Sequence, residues 1–372
     1  MKIKWAKWEE IPEGIEKSYL RLFSENKSEL LISNVSVDFR ILQIGSGIYF
    51  PVTINEKEWN NSFVCSPFTA YVTYAKDELK RKIKSKLIQW LVLIIINTIS
   101  RLLKAGKINK NVHINNYLLS TNPYPNWDGN LIGCITKFII SEFPEHAIIF
   151  RSLNEYQHSD LLKTFEVNEY KLIGSRQVYL YDQDYEKWIK HNNNKQDLRI
   201  IKNQKLIYLN HEQMVDYLEQ ALSLYQKLYL EKYSFHNPQF TITYFKQLHS
   251  KGTILFQGYR NEHGFLKAFS GLFIIENNIT SPLVGYDTNS NQKEALYIHA
   301  IQLIFSYKFK SGKVLNLSSG APLFKRFRGG EASIEYSVIY NNHLNWSRRL
   351  IVSILQFVSN KIGIPLMRKY EL

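Results

Sequence analysis

The chain has 372 residues, a formal net charge of +14 and 45% hydrophobic residues. That apolar share excludes a disordered chain, and the length favours two domains over one. Its two cysteines, Cys65 and Cys134, lie far apart and outside any CxxC pair, which excludes a disulfide scaffold or a metal knuckle and fits a reducing compartment.

A positive field of this size attracts phosphates, acidic carriers, nucleic acid or anionic lipid. No apolar signal core follows the start of the chain, so the expected location is the cytoplasm.

In chain order, Phe39–Ile44 followed by Gly45–Thr53 predicts a hairpin, with Gly45-Ser46-Gly47 as its turn. The basic run Lys80–Lys86 precedes an apolar stretch, Leu87–Leu103, interrupted by Gln89, Asn97, Ser100 and Arg101. A spanning helix needs about 20 apolar residues. The reading is therefore a helix buried between layers, with a lysine-steered membrane-surface helix as the alternative. Val112–Leu119 alternates like a strand and ends in the turn-forming Ser120–Pro125. A helix over Leu131–Phe143 stops before Pro144, and Ala147–Ser152 is a strand. Ser159-Asp160 is placed to cap a short helix at Leu161–Phe165, and Arg176–Tyr181 is the next strand.

The polar run His191–Asp197 marks an interdomain segment, dividing the chain into residues 1–190 and 191–372. Beyond it come helices at Glu212–Lys232 and Thr243–His249, then strand-like runs at Thr253–Tyr259, Leu266–Ile275 and Ile279–Tyr286. A long helix, Glu294–Lys310, precedes the strand at Val314. Trp346–Lys369 is amphipathic and basic, suited to closing the fold or touching a membrane. The halves echo each other: Ile148–Leu153, a helix with Leu162–Phe165 and a Tyr-rich strand match Val314–Ser319, Leu323–Phe327 and Tyr336–Tyr340. That layout predicts a tandem duplication of one α/β unit.

The densest chemistry lies between Val314 and Tyr340. A buried strand ends in Ser318-Ser319-Gly320, and a short helix follows with Lys325, Arg326 and Arg328. Hydroxyls, backbone N–H groups and cations so close together suit a phosphate or an oxyanion. Asn316 and Ser318 alternate on one strand face, and Lys325 and Arg328, three apart, share a helix face. Ser318 has no G-x-S-x-G elbow and no evident His partner, which makes it a poor nucleophile. In the first half, Ser120–Asn122, Arg151 and Arg176-Gln177 are polar groups in or near strands. Structural ion pairs are the default reading and acceptor binding the alternative. No metal spacing is present.

The order of the second half resembles the GNAT acyltransferase fold, and more closely the tandem branch with FemAB-type peptidyltransferases. The resemblance rests on Tyr225–Tyr229 with Asn237-Pro238 and Tyr244-Phe245, on Gly285-Tyr286-Asp287, on Leu296-Tyr297, and on Asn316–Gly320 with Phe324-Lys325 and Arg328-Gly329. It covers roughly residues 195 to 345, and 30 to 185 by layout only. It implies an α/β fold of two tandem GNAT-like domains with mixed, largely antiparallel sheets flanked by helices. It also implies acyl transfer from a thioester (acyl-CoA or acyl-carrier protein, with no tightly bound cofactor) to an amine. A carrier protein, tRNA or membrane surface enters as a further partner. One departure stands out: Tyr286–Glu294 lacks the glycine-rich Q/R-x-x-G-x-G/A turn that holds a coenzyme A pyrophosphate. On this reading Asp287, Tyr297 and Ser318 form the catalytic group. Asn316, Ser319, Gly320, Lys325, Arg328, Arg176 and Asn122 bind substrate. An aminoacyl-tRNA-dependent ligase and a non-catalytic nucleic-acid or membrane-surface binding protein are the competing readings.

Overall fold

Alternation of apolar side chains gives strands wherever a face can be buried, and here the strands join into one sheet. The computed structural model describes residues 3–45, 47–203 and 205–371. Among them the strands are β1 (Ile3–Ala6), β2 (Asp38–Ile44), β3 (Ile48–Asn55), β4 (Asn111–Ile114), β5 (Ala147–Asn154) and β6 (Lys171–Tyr181). The second half supplies β7 (Ile207–Leu209), β8 (Leu255–Arg260), β9 (Leu266–Ile275), β10 (Asn278–Tyr286), β11 (Val314–Asn316) and β12 (Glu331–Tyr340). Their order across the sheet is β1-β2-β3-β4-β5-β12-β6-β11-β10-β9-β8-β7.

That order is a palindrome of the two halves. β4 pairs β5 in parallel and β10 pairs β11 in parallel, while every other neighbour is antiparallel. The last strand of each half crosses over: β12 inserts beside β5 and β6 beside β11. The matching runs read from the sequence are these equivalent elements. Ser152 and Ser318, paired by that match, both take left-handed backbone angles, φ 66° and 60°. The sheet is mixed and largely antiparallel with helices on both faces, as expected.

Three local expectations change and a fourth is only partly described. β4 ends at Ile114, because Asn115 and Leu118 adopt positive φ and turn the chain away. The helix after β5 starts at Glu155, capped by Asn154, whose side chain accepts from the N–H of Gln157 at 2.8 Å, so Ser159-Asp160 is not the cap. The run His191–Asp197 is mostly helical (Asn192–Asn203) and buries Asn194 and Asp197. The turn residue Ser46 lies outside the described residues; Gly45, at φ 62°, ends β2.

The apolar stretch at 87–103 is not buried between layers. It forms the helix Lys86–Ala105, which buries only Ile99 and Leu103. These pack with Phe68, Val72, Val352 and Leu355 beside the C-terminal helical segment. Leu87, Trp90, Leu91 and Ile94 face outward. The sheet face offers one helical stripe of contact, and the rest of an all-round apolar helix has nothing to cover it.

Candidate active site

Each parallel pair opens part-way along. β10 and β11 pair only from Asn278–Thr280 to Val314–Asn316. β10 then bulges between Thr280 and Leu283, at Pro282, which cannot donate to a ladder. In the first half β4 stops at Ile114 while β5 runs on to Asn154. The crossover of β6 and β12 brings both openings to the sheet centre. A cavity of about 300 Å³ lies there.

Its wall at the sheet is polar. Arg176 donates from Nε and Nη2 to the buried Glu335 at 2.8 and 3.1 Å, and to Thr121 Oγ1 at 2.9 Å and the Ser120 carbonyl. Arg151 donates to the Val64 carbonyl at 2.7 Å and to Asn116 Oδ1 at 3.3 Å. Burial pushes the Arg151 guanidinium down to about 10, against the opposing pull of the Glu335 carboxylate.

The loop after β11 forms the next wall. Ser318, Gly320 and Ala321 all have positive φ, at 60°, 80° and 46°. Such a contorted loop needs something to hold it, and the buried Lys325 does so. Its Nζ donates to the carbonyls of Leu317, Ser318 and Ser319 at 2.6, 3.1 and 2.7 Å. Burial lowers its basicity well below that of an ordinary lysine. Peptide planarity makes the N–H across each of these bonds point away from Nζ. The N–H of Ser318 meets Asn316 Oδ1 at 2.8 Å. Those of Ser319 and Gly320 have no acceptor among the described residues. Both residues line the cavity, so these two donors are left for a group other than the fold's own.

Five tyrosines complete the lining: Tyr71, Tyr74, Tyr229, Tyr233 and Tyr297. Burial raises the pKa values of Tyr74, Tyr229 and Tyr297 above the ordinary phenol range, so these phenols stay protonated at neutral pH. Three π-helical turns, Thr69–Thr73, Gln226–Glu231 and Ser359–Gly363, all contribute lining residues. Such turns widen a helix locally and often occur at functional sites. The opposite end of the cavity is apolar, built from Val92, Ile95 and Ile96 on one helix and Leu355, Val358 and Leu366 on the C-terminal segment.

The expected site residues therefore divide. Tyr297, Ser318, Ser319, Gly320, Lys325 and Arg176 converge on the cavity. Asp287 does not line it. Burial would raise its pKa, but hydrogen bonds from Lys267, Ser290 and the N–H of Asn289 outweigh that and lower it. It is a loop-fixing carboxylate, with Lys267 at 2.8 Å. Arg328 faces away, paired with Asp197 at 2.5 and 2.8 Å and stacked 3.5 Å from the Phe324 ring centroid. Arg326 pairs with Glu371. The three cations thus do not form a phosphate cradle, because each has a partner in the fold. Asn122 and Asn316 meet in a separate recess of about 10 Å³. There Asn122 Oδ1 accepts from the N–H of Tyr117 and its own N–H donates to Ser152 Oγ.

Sequence reasoning singled out Tyr297 but missed Glu335 and the other lining tyrosines, and read Arg151 as structural by default. The spacing of Tyr225, Tyr229 and Tyr233 was a usable signal, but ordinary helical geometry cannot say which of the three faces a cavity.

No protein-family model matches the sequence, and no curated protein matches it. Among solved structures, FemX aligns over 96% of this chain and 100% of its own, at 9% identity and a TM-score of 0.54. L-PGS from Bacillus licheniformis aligns over 71% of this chain and 96% of its own, at 11% identity and a TM-score of 0.45. A tandem GNAT protein from the clavulanic acid biosynthesis pathway aligns over 91% and 98%, at 7% identity and a TM-score of 0.38. The fold is GNAT-like and tandem.

Proposed function

We propose that the protein is an acyltransferase that forms an amide in the central cavity, with one reactant carrying a long apolar chain. The observation behind this reading is the two-ended cavity, with hydrogen-bond donors at the sheet and aliphatic walls between the helices. The N–H groups of Ser319 and Gly320 would polarise the thioester carbonyl as charge develops on its oxygen. The amine attacks that carbon, the C–N bond forms and the C–S bond breaks. The thiolate takes a proton from a neutral phenol such as Tyr297, and the proton lost by the amine restores the phenol. Arg151, bonded among the described residues only to the neutral Val64 carbonyl and Asn116 Oδ1, would orient an acidic group of the acceptor or donor.

The loop between β10 and the next helix, where a coenzyme A pyrophosphate would sit in a GNAT enzyme, has no glycine after Gly285 and is pinned by the Asp287–Lys267 contact. That favours a carrier-bound donor over free coenzyme A. It equally favours a second reading, transfer from aminoacyl-tRNA, for which the fold likeness to FemX is a precedent.

The test is thermal stability with acetyl-, octanoyl- and palmitoyl-thioesters of coenzyme A and carrier protein, and with aminoacyl-tRNA, followed by thiol-release assays. A ligand bound only by the native state raises the melting temperature. Stabilisation and thiol release that grow with chain length are expected, and Ile96→Trp, which fills the apolar end, should shift the preference to shorter chains. Response to aminoacyl-tRNA alone moves the assignment to the second reading. Silence towards every donor refutes transfer and leaves a binding protein.

A further inference from the structure

The two helical segments beside the cavity show the same anomaly. Lys86–Ala105 and Trp346–Tyr370 are each long and apolar enough to cross a membrane, and little of either is buried. The first exposes Leu87 (66%), Trp90 (60%), Leu91 and Ile94. These positions are i, i+3, i+4 and i+7, one stripe of a helix. The second exposes Trp346 (70%), Leu350 and Phe357 (62%), again along one stripe. The two segments pack together through Ile99, Leu103, Val352 and Leu355.

Charge is distributed in the same way. Residues 80–110 and 346–370 contain 14 lysines and arginines and no aspartate or glutamate. They account for the whole formal net charge of +14, and the rest of the chain is balanced.

We infer that these two helices form a docking face that seats on an anionic lipid bilayer. Insertion across the bilayer is ruled out by what the inner faces hold. Buried Arg348 donates to the carbonyls of Gly106, Lys107, Lys110 and Glu145. Asn360 bonds the N–H of Gly174 at 2.9 Å and the carbonyl of Leu172 at 2.8 Å. A spanning helix would have to break all of these. The helices therefore lie flat, with aromatic and aliphatic side chains entering the acyl boundary and lysines at the headgroups. Exposed Asn97, Thr98 and Arg101 end the first stripe, and Arg101 has the length to reach back to the headgroup level. A second copy of this chain fits less well, because it would bring two faces of like charge together. The apolar end of the cavity lies between these same helices, which leaves a short path for a lipid chain.

Vesicle flotation tests this without any transfer reaction, so its outcome is independent of the proposed activity. Vesicles of phosphatidylcholine alone are compared with vesicles containing phosphatidylglycerol, at low and high salt. The wild type should float with the anionic vesicles and be released by salt. The doubly substituted W90E/F357E protein, altered only at exposed positions, should partition at least about tenfold less. Removing Lys80, Lys84 and Lys86 as alanines should abolish the preference for anionic over zwitterionic vesicles. Brominated-lipid quenching of Trp fluorescence, reduced in W90F, is a readout that does not depend on the double variant folding. The inference is overturned if the wild type stays unbound, or if W90E/F357E floats equally well. It is also overturned if that variant instead converts a dimer to a monomer in sedimentation velocity with no vesicle binding.

Discussion

Removing both partners of the Arg176–Glu335 pair should cost clearly less than the sum of removing each alone. Glu335 is 2% exposed, and Arg176 is its bonded partner at 2.8 and 3.1 Å. Arg176→Gln leaves a buried carboxylate beside only Arg151, which is itself held by other acceptors. It also removes donors to Thr121 Oγ1 and the Ser120 carbonyl, which tie β6 to the loop after β4. Breaking a buried pair from one side costs about 3–5 kcal/mol. With a urea slope of about 3 kcal/mol/M or more for a chain of this size, the midpoint should drop by roughly 1 M. Glu335→Gln should cost a similar amount, because it strands a guanidinium. The double variant should be less destabilised than the sum of the two by about 2 kcal/mol or more, since no charge is left unpaired. Equilibrium urea unfolding monitored by fluorescence and circular dichroism, with reversibility checked, gives all four corners of the cycle. Additivity within about 0.5 kcal/mol would refute the coupling and the picture of a dry, charge-paired cavity floor.

Lys325→Met should lower stability by about 2–4 kcal/mol, read as a urea midpoint shift, because three carbonyls lose their donor. It should also abolish thermal stabilisation by whichever donor the wild type binds, since the Ser319–Gly320 N–H groups are no longer aimed. Gly285→Ala should cost about 1–3 kcal/mol in the same assay, because its new Cβ would sit 2.9 Å from the Leu224 backbone and 2.5 Å from the Phe269 ring. Burial pushes the His158 imidazole down to about 4, while its Nδ1 accepts from the N–H of Asn154 at 3.2 Å. The unfolded chain therefore gains this proton below about 6.5 and the folded chain only near 4. Stability should be full above the first value and fall through that window by about 2 kcal/mol, allowing for partial exposure. His158→Gln should flatten the profile, and an unchanged slope would contradict the assignment.

Much of this architecture was legible before any coordinates. Strand periodicity placed most of the sheet, and the echo between Ile148–Leu153 and Val314–Ser319 located the duplicated units down to a pair of left-handed serines. The Ser318–Gly320 corner and Lys325 were singled out by chemistry, and they do meet at the cavity. Their relation was not legible. Three cations close in sequence read as an anion site, but the fold aims Lys325 inward at carbonyls, Arg328 at Asp197 and Arg326 at Glu371. Asp287 looked exposed to ligand at a strand end, yet Lys267 on the neighbouring strand claims it.

The sequence by itself determined the elements, the duplication and the positive charge, because these follow from local periodicity and composition. The crossing of β6 and β12 was decided only by tertiary structure, since strand partners are chosen by long-range packing that no local pattern encodes. That crossing brings Arg176, Glu335 and Arg151, from distant parts of the chain, to one cavity floor. It also decided which face of Lys86–Ala105 stays bare, because a helix that is apolar all round shows its uncovered side only once the sheet has taken the other.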